Sequence, residues 1–250
     1  MMKRENKVSL WAVVFWLVVW QLVSLELNSE LLLVSPIKVI IRLGQLMVTL
    51  AFWKSVLFTL SRIGLGFFMA AVSGCVLAAV ASRYRRVREL LAPLMVTIKS
   101  VPVASFIILA LIWFSARNLS VLISYLMVLP VIYTNMLNGI QSVDRQLLEM
   151  AQVFRISGFR TVRTIYLQHL LPFLYSACSV ALGLSWKAGV AAEVIGIPKG
   201  SIGECLQQAK IYLDTPDLFA WTLVIVILSL VFEKMVLRGL LFFTEKIRDL

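Results

Sequence analysis

The sequence predicts an all-α polytopic membrane protein, with residues 1–250 forming one transmembrane domain of about six membrane helices. Three observations predict it. Apolar residues make up 60% of the chain, against roughly 45–50% in soluble domains even with glycine counted. Charged residues are only 15% and mean hydropathy is +0.92, so there is too little polar surface to clothe a soluble globule. The apolar residues also fall into long stretches near the ~20 residues that a membrane helix needs. This composition argues against a water-soluble enzyme.

Taken in order, Lys3, Arg4 and Lys7 precede an uncharged stretch at 8–25. It is longer than the ~7–15 residue core of a signal peptide and lacks a small-x-small cleavage site, so it reads as a retained span. Further apolar stretches cover 56–81, 90–114, 119–140, 170–186 and 218–232, with only 115–118 separating the third from the fourth. Between the first two, 35–50 opens with Ser-Pro and mixes Ile37, Ile40, Ile41 and Leu43 with Lys38, Arg42 and Gln45, the pattern of a helix lying at an interface. Ser201-Ile-Gly-Glu204 has capping-box spacing. Asp214-Thr-Pro216 then places a cap before a proline suited to a first helical turn, where the sixth span begins.

The net charge of +11 is explained by position. With six spans and the N-terminus inside, the inside segments hold Lys3, Arg4, Lys7, Arg83, Arg85, Arg86, Arg88, Arg145, Arg155, Arg160, Arg163, Lys234, Arg238, Lys246 and Arg248. The outside segments hold Lys38, Arg42, Lys54, Arg117, Lys187, Lys199 and Lys210, while Arg62 and Lys99 lie within apolar stretches. The positive-inside rule therefore predicts cytoplasmic termini and a cytoplasmic loop at 141–169, and the basic surplus requires no nucleic acid. Cys75, Cys178 and Cys205 have no metal-type spacing and read as packing residues. His169 has no acidic or cysteine neighbour in sequence, so no catalytic, metal or cofactor role is assigned to it or to any other residue.

The loop at 141–169 is the most informative segment. Asp144 can cap a helix whose apolar edge is Leu147, Leu148, Ala151 and Phe154. Ser157-Gly158 breaks the period, and a basic amphipathic stretch follows at 159–167. A short helix, a break and a second helix suit either a plug for a partner's groove or an amphipathic hairpin resting on lipid headgroups.

Glu149-Met-Ala151, Gly158, Ile165, Leu167 and Leu171-Pro172 resemble the EAA loop of the permease subunits of binding-protein-dependent ATP-binding cassette importers. The string from Ala181 to Gly196, with Trp186, Lys187 and Glu193, resembles the nitrate, sulfonate and taurine branch of that family, as does Ile112-Trp-Phe114. The resemblance covers roughly residues 53–237. It implies a coupling loop built on Leu147, Glu149, Ala151, Phe154, Arg155, Gly158, Ile165 and Leu167 and docked into a cytosolic ATPase subunit. It also implies a second permease subunit, here expected as a homodimer, an extracytoplasmic substrate-binding protein, and a place in the bacterial inner membrane. The chain departs from the family pattern E-A-A-x3-G-x9-I-x-L-P: Met150 replaces its second residue, Arg155 stands at its glycine and Gln168 at its proline. Gly158, three residues late, is expected to supply the unconstrained turn.

Small residues recur every fourth position at Gly66, Ala70, Gly74 and Ala78 and at Ala177, Ala181, Ser185 and Gly189. Such ladders let membrane helices approach closely, within one chain or between subunits. Arg62 and Lys99 each suit either a polar pathway or snorkelling to an interface, and Pro102 suggests a kink beyond Lys99. Lys99, Trp186, Lys187 and Glu193 are the candidate pathway residues, and positive charge there favours an anionic, sulfonate- or carboxylate-like solute. A secondary transporter or channel is the alternative, but neither repeated halves nor broken helices are evident in the sequence. No G-x-x-x-x-G-K-[ST] occurs, so ATP hydrolysis is expected on another subunit.

Overall fold

A computed structural model describes residues 10–27, 29 and 32–248, with side chains from 11 to 242. Lys3, Arg4 and Lys7 lie outside the described residues, as do the side chains of Lys246 and Arg248. In chain order the helices are α1 (Leu10–Leu27), α2 (Pro36–Met47), α3 (Leu50–Arg83), α4 (Arg85–Ser100), α5 (Val103–Trp113), α6 (Ala116–Gln141), α7 (Arg145–Val153) and α8 (Gly158–Thr161). A π-helical turn (Val162–Tyr166) leads into α9 (Leu167–Gly196), followed by α10 (Ile202–Ile211) and α11 (Thr215–Arg248). No strand occurs among the described residues.

By length and composition α3, α6, the run from α8 through α9, and α11 can each cross a membrane, and α4 with α5 makes a fifth if the bent pair is one span. The expected third span is therefore two helices rather than one continuous helix. It bends by 107° where Val101 and Pro102 leave the helical region with ψ of 131° and 135°, because a proline ring disfavours helical geometry in the residue before it. The sequence reading that found no broken helix is corrected by this pair.

The small-residue ladders build the centre within one chain. A Cβ on Gly66 would meet the Val121 carbonyl at 2.5 Å, and one on Gly74 would meet Ile132 at 3.0 Å. Gly189 of α9 faces Ser124 and Ile63, and Gly139 of α6 faces Leu170 and Phe173. These pairs make α3 and α6 run parallel, with α9 antiparallel to both. Ala70, Ala78, Ala177, Ala181 and Ser185 are buried in the same seams.

The same pairs sort the charges. Arg83 and the start of α4 share one end of the bundle with the end of α6 and the 142–166 segment. The start of α3, α2, α10 and the start of α11 occupy the other. Ile63 through Ser82 contain no charged residue, which at 1.5 Å per residue is about the 30 Å of a hydrocarbon core. Arg62 thus stands at the boundary rather than inside the span, with Nη1 donating to Asn118 Oδ1 at 2.8 Å.

At that second end α2 lies as an interfacial helix should, with Val39 buried and Ile37, Ile40 and Ile41 exposed. Ser35 caps it, accepting a hydrogen bond from Lys38 N, and the Arg42 guanidinium clasps Asp217 of α11 through both carboxylate oxygens. The Asp217 hydrogen bond outweighs burial and raises the Arg42 pKa above its ordinary value. Trp20 of α1 donates to the Val34 carbonyl at 3.0 Å, fastening α1 beside α2.

Candidate functional site

The 142–166 segment forms the helix, break and second helix that its period suggested. Asp144 caps α7 by accepting from Gln146 N at 2.8 Å. The apolar edge splits in two, since a one-residue offset rotates a side chain by about 100°. Ala151 is buried and Leu148 half-buried against the chain itself, while Leu147 and Phe154 are exposed. Met150, Val153, Phe159 and Val162 join the exposed set, with Phe154, Val153 and Phe159 at 73%, 79% and 82%. Glu149 is exposed beside them, and Ile165 and Leu167 are half-buried where the segment enters α9. Val153 and Phe159 were not among the candidate residues: their apolar character is visible in the sequence, but their exposure is a tertiary property.

The turn itself corrects the sequence reading. Arg155, not Gly158, takes the left-handed conformation, with φ 51°. Its N–H donates to the Gln152 carbonyl at 3.0 Å, and Ile156 N returns to the Ala151 carbonyl at 2.9 Å, closing the C-terminus of α7. Gly158 is the first residue of α8, after Ser157 at φ −60°, ψ 144°, and needs no glycine-specific geometry.

The four candidate pathway residues are not brought together. Lys99 is exposed, with Nζ reaching Thr134 Oγ1 at 3.4 Å, which is seven residues or about 10 Å from the Gln141 end of α6. Lys187 is exposed on α9. Trp186 and Glu193 instead pack inside the chain's own bundle, at 2% and 0% exposure, so neither opens onto a surface that a solute could touch in this conformation. The reason is that α9 continues ten residues past the apolar stretch that marked its expected end, carrying Glu193 beneath α10. Glu193 is thus an acid inside a long apolar helix. Glu193 Oε2 accepts from Thr59 Oγ1 at 2.7 Å and from Gly203 N at 3.4 Å.

Among the described residues no group of three His, Cys, Asp or Glu gathers that could hold a metal ion. An open cleft of about 430 Å³ lies between α3 and α6, lined by Leu65, Met69, Val121, Leu122 and Tyr125 below Arg62. Closely packed long helices, a sharply bent helix pair and an exposed apolar loop at the arginine-rich end place the described residues in the class of polytopic helical membrane proteins.

The chain belongs to the family described as the binding-protein-dependent transport system inner membrane component, which matches residues 62–241. It is a transport-system permease and a multi-pass membrane protein. It is 28% identical to the taurine transport system permease protein of Escherichia coli over 220 residues, covering 86% of this chain and 80% of that protein. It is 24% identical to a Bacillus subtilis protein named for aliphatic sulfonates transport, covering 84% and 77%. It is 29% identical to the riboflavin transport system permease protein of Chloroflexus aurantiacus, covering 90% and 84%.

Proposed function

We propose that this permease forms the solute pathway of an ATP-driven importer in the bacterial inner membrane and is driven by a separate cytosolic ATPase subunit that seats on the 142–166 segment. The observation that carries this reading is the apolar cluster of Phe154, Val153 and Phe159, exposed by 73%, 79% and 82% at the tip of a polar, basic segment. Aromatic side chains so exposed beside Arg155 and Arg160 suit a partner's groove with an acidic rim. Leu147, Glu149 and Met150 extend the docking face, Ala151, Ile165 and Leu167 are its covered side, and Arg155 shapes the turn that precedes α8 at Gly158.

In this reading the arginine-rich end is cytoplasmic, following the positive-inside rule. A second copy of the permease completes the pathway. The end formed by α2, α10 and the start of α11 receives an extracytoplasmic binding protein. The solute is anionic, in keeping with Lys99 on an exposed face of the bundle, and the names of the sulfonate and taurine relatives point the same way. The riboflavin relative shows that the branch is not confined to sulfonates.

Co-expression with the ATPase encoded alongside tests the assignment. Phe159→Glu places a charge where an apolar groove must desolvate it. It is expected to insert in the membrane normally and to lose ATPase copurification. Full copurification in both Phe159→Glu and Phe154→Glu would remove the segment from its role.

A further inference from the structure

Glu193 is buried in α9 and faces α10, and no part of the importer reading uses it. The first turn of α10 has amide groups that the helix cannot satisfy itself, and side chains from three elements take them. Ser201 Oγ accepts from Glu204 N at 3.0 Å. Thr59 of α3 accepts from Ile202 N at 3.0 Å and donates its own hydroxyl to Glu193 Oε2 at 2.7 Å. The same carboxylate oxygen accepts from Gly203 N at 3.4 Å. Gly203 leaves no room for a Cβ, which would collide with the Glu193 side chain and backbone. The connection preceding this turn is tight: Ile197 adopts φ 48° and Gly200 φ 81°. A left-handed β-branched residue is strained and persists only where the surroundings over-determine it.

The nearest cation does not neutralise this acid by direct contact. Arg62, one helical turn beyond Thr59, is committed to Asn118 at 2.8 Å and lies 5.4 Å over the Phe58 ring. Glu193 is therefore held by neutral donors, a hydroxyl and an amide. From Gly158 to Gly196 the helical run is 39 residues, including the π-helical turn at Val162–Tyr166 and Pro172, on the order of 58 Å at 1.5 Å per residue. One end of this rod is the 142–166 segment, and the other carries the carboxyl that grips α10.

We propose that Glu193, acting with Thr59, is a positioning residue that makes α10 move as one body with α9 and so links the face bearing α10 to the loop at the opposite end. The proposal rests on the ATPase docking described above. Acceptor geometry, not negative charge, is what the clasp needs. Glu193→Gln keeps an oxygen for Thr59 and Gly203, Glu193→Leu removes it, and Thr59→Val removes the shared hydroxyl at nearly constant volume.

The test uses the permease–ATPase complex with its three cysteines replaced by alanine and Lys210→Cys, at the exposed end of α10, as the maleimide reporter. Trapping the ATPase with MgATP and orthovanadate is expected to change the labelling rate by about fivefold or more in the reporter protein and in Glu193→Gln. In Glu193→Leu and Thr59→Val the rate is expected to be the same with and without trapping, while ATPase copurification is unchanged. Thr59→Val alone decides the matter if Glu193→Leu does not accumulate. A labelling rate indifferent to trapping in the reporter protein, a full response in Thr59→Val, or loss of the response in Glu193→Gln would each overturn the proposal. Failure of the reporter protein to copurify with the ATPase would instead count against the docking reading.

Discussion

Gly66 of α3 lies so close beneath the Val121 carbonyl of α6 that an added Cβ would stand 2.5 Å from that oxygen and 2.9 Å from the Ser124 Cβ. The two backbones touch along the ladder because the residues facing α6 are small, and in lipid such packing substitutes for a hydrophobic driving force. Gly66→Ala is therefore expected to destabilise the chain by about 1–3 kcal/mol through overpacking. Gly44→Ala is its control, because nothing lies within 4 Å of a Cβ there, and inside α2 it is expected to stabilise by up to about 1 kcal/mol through helix propensity. Thermal unfolding in detergent measures both, and equal midpoints would mean that the α3–α6 seam is looser than its geometry.

The loop turn makes opposite predictions for two sites three residues apart. Arg155→Pro is expected to disrupt the end of α7, because proline cannot reach φ 51° and has no N–H for the Gln152 carbonyl. Gly158→Pro is expected to be tolerated, since proline suits the first position of a helix and Ser157 already has the extended geometry that precedes a proline. Arg155→Gly is expected to retain ATPase copurification and to relieve left-handed strain of roughly 1 kcal/mol. Copurification of the co-expressed ATPase reads all three, and a dead Gly158→Pro beside a normal Arg155→Pro would reverse the assignment of the turn.

The Arg42–Asp217 pair joins α2 to α11, with side-chain exposures of 36% and 20%. Arg42→Lys keeps the charge but cannot span both carboxylate oxygens. The change is expected to cost below about 1 kcal/mol, because the pair is partly open to water. Its sharper signature is faster protease cleavage between α2 and α3, around Val48, compared with the parent. Identical cleavage in Arg42→Lys and Arg42→Ala would show that Val39 packing alone seats the helix.

The two exposed lysines are expected to behave differently. Lys99 lies beside Thr134, about 10 Å in from the Gln141 end of α6, where a charge facing lipid would cost at least ~2.5 kcal/mol. It must face protein or water, so Lys99→Ala is expected to lower the flux of an anionic solute in reconstituted vesicles. Lys187 is two residues from Gly189, which packs against Ile63 beside Arg62 at the boundary. It is close enough to snorkel, and Lys187→Ala is expected to leave flux unchanged. Unaltered flux in Lys99→Ala would take that residue out of the pathway.

Much of this architecture was legible in the order of residues. Uncharged runs, the Ser-Pro opening of α2 and the Ser201 cap of α10 are local signals, set by hydropathy and by backbone groups needing partners within a few positions. The loop at 141–169 was legible for the same reason, since Asp144 and the Ser157-Gly158 break act on their immediate neighbours. The family followed from motif strings, and these too are local.

What only the tertiary structure decided depends on residues far apart in the chain. The 107° break at Pro102 was readable as a kink but not in its size, which depends on how α4 and α5 pack against α6. That the Glu193 carboxyl lies in the interior depends on Thr59, 134 positions away, which donates to it. Sequence spacing determines which residues share a helix face; which face is covered, and by what, is settled only when helices distant in sequence pack together.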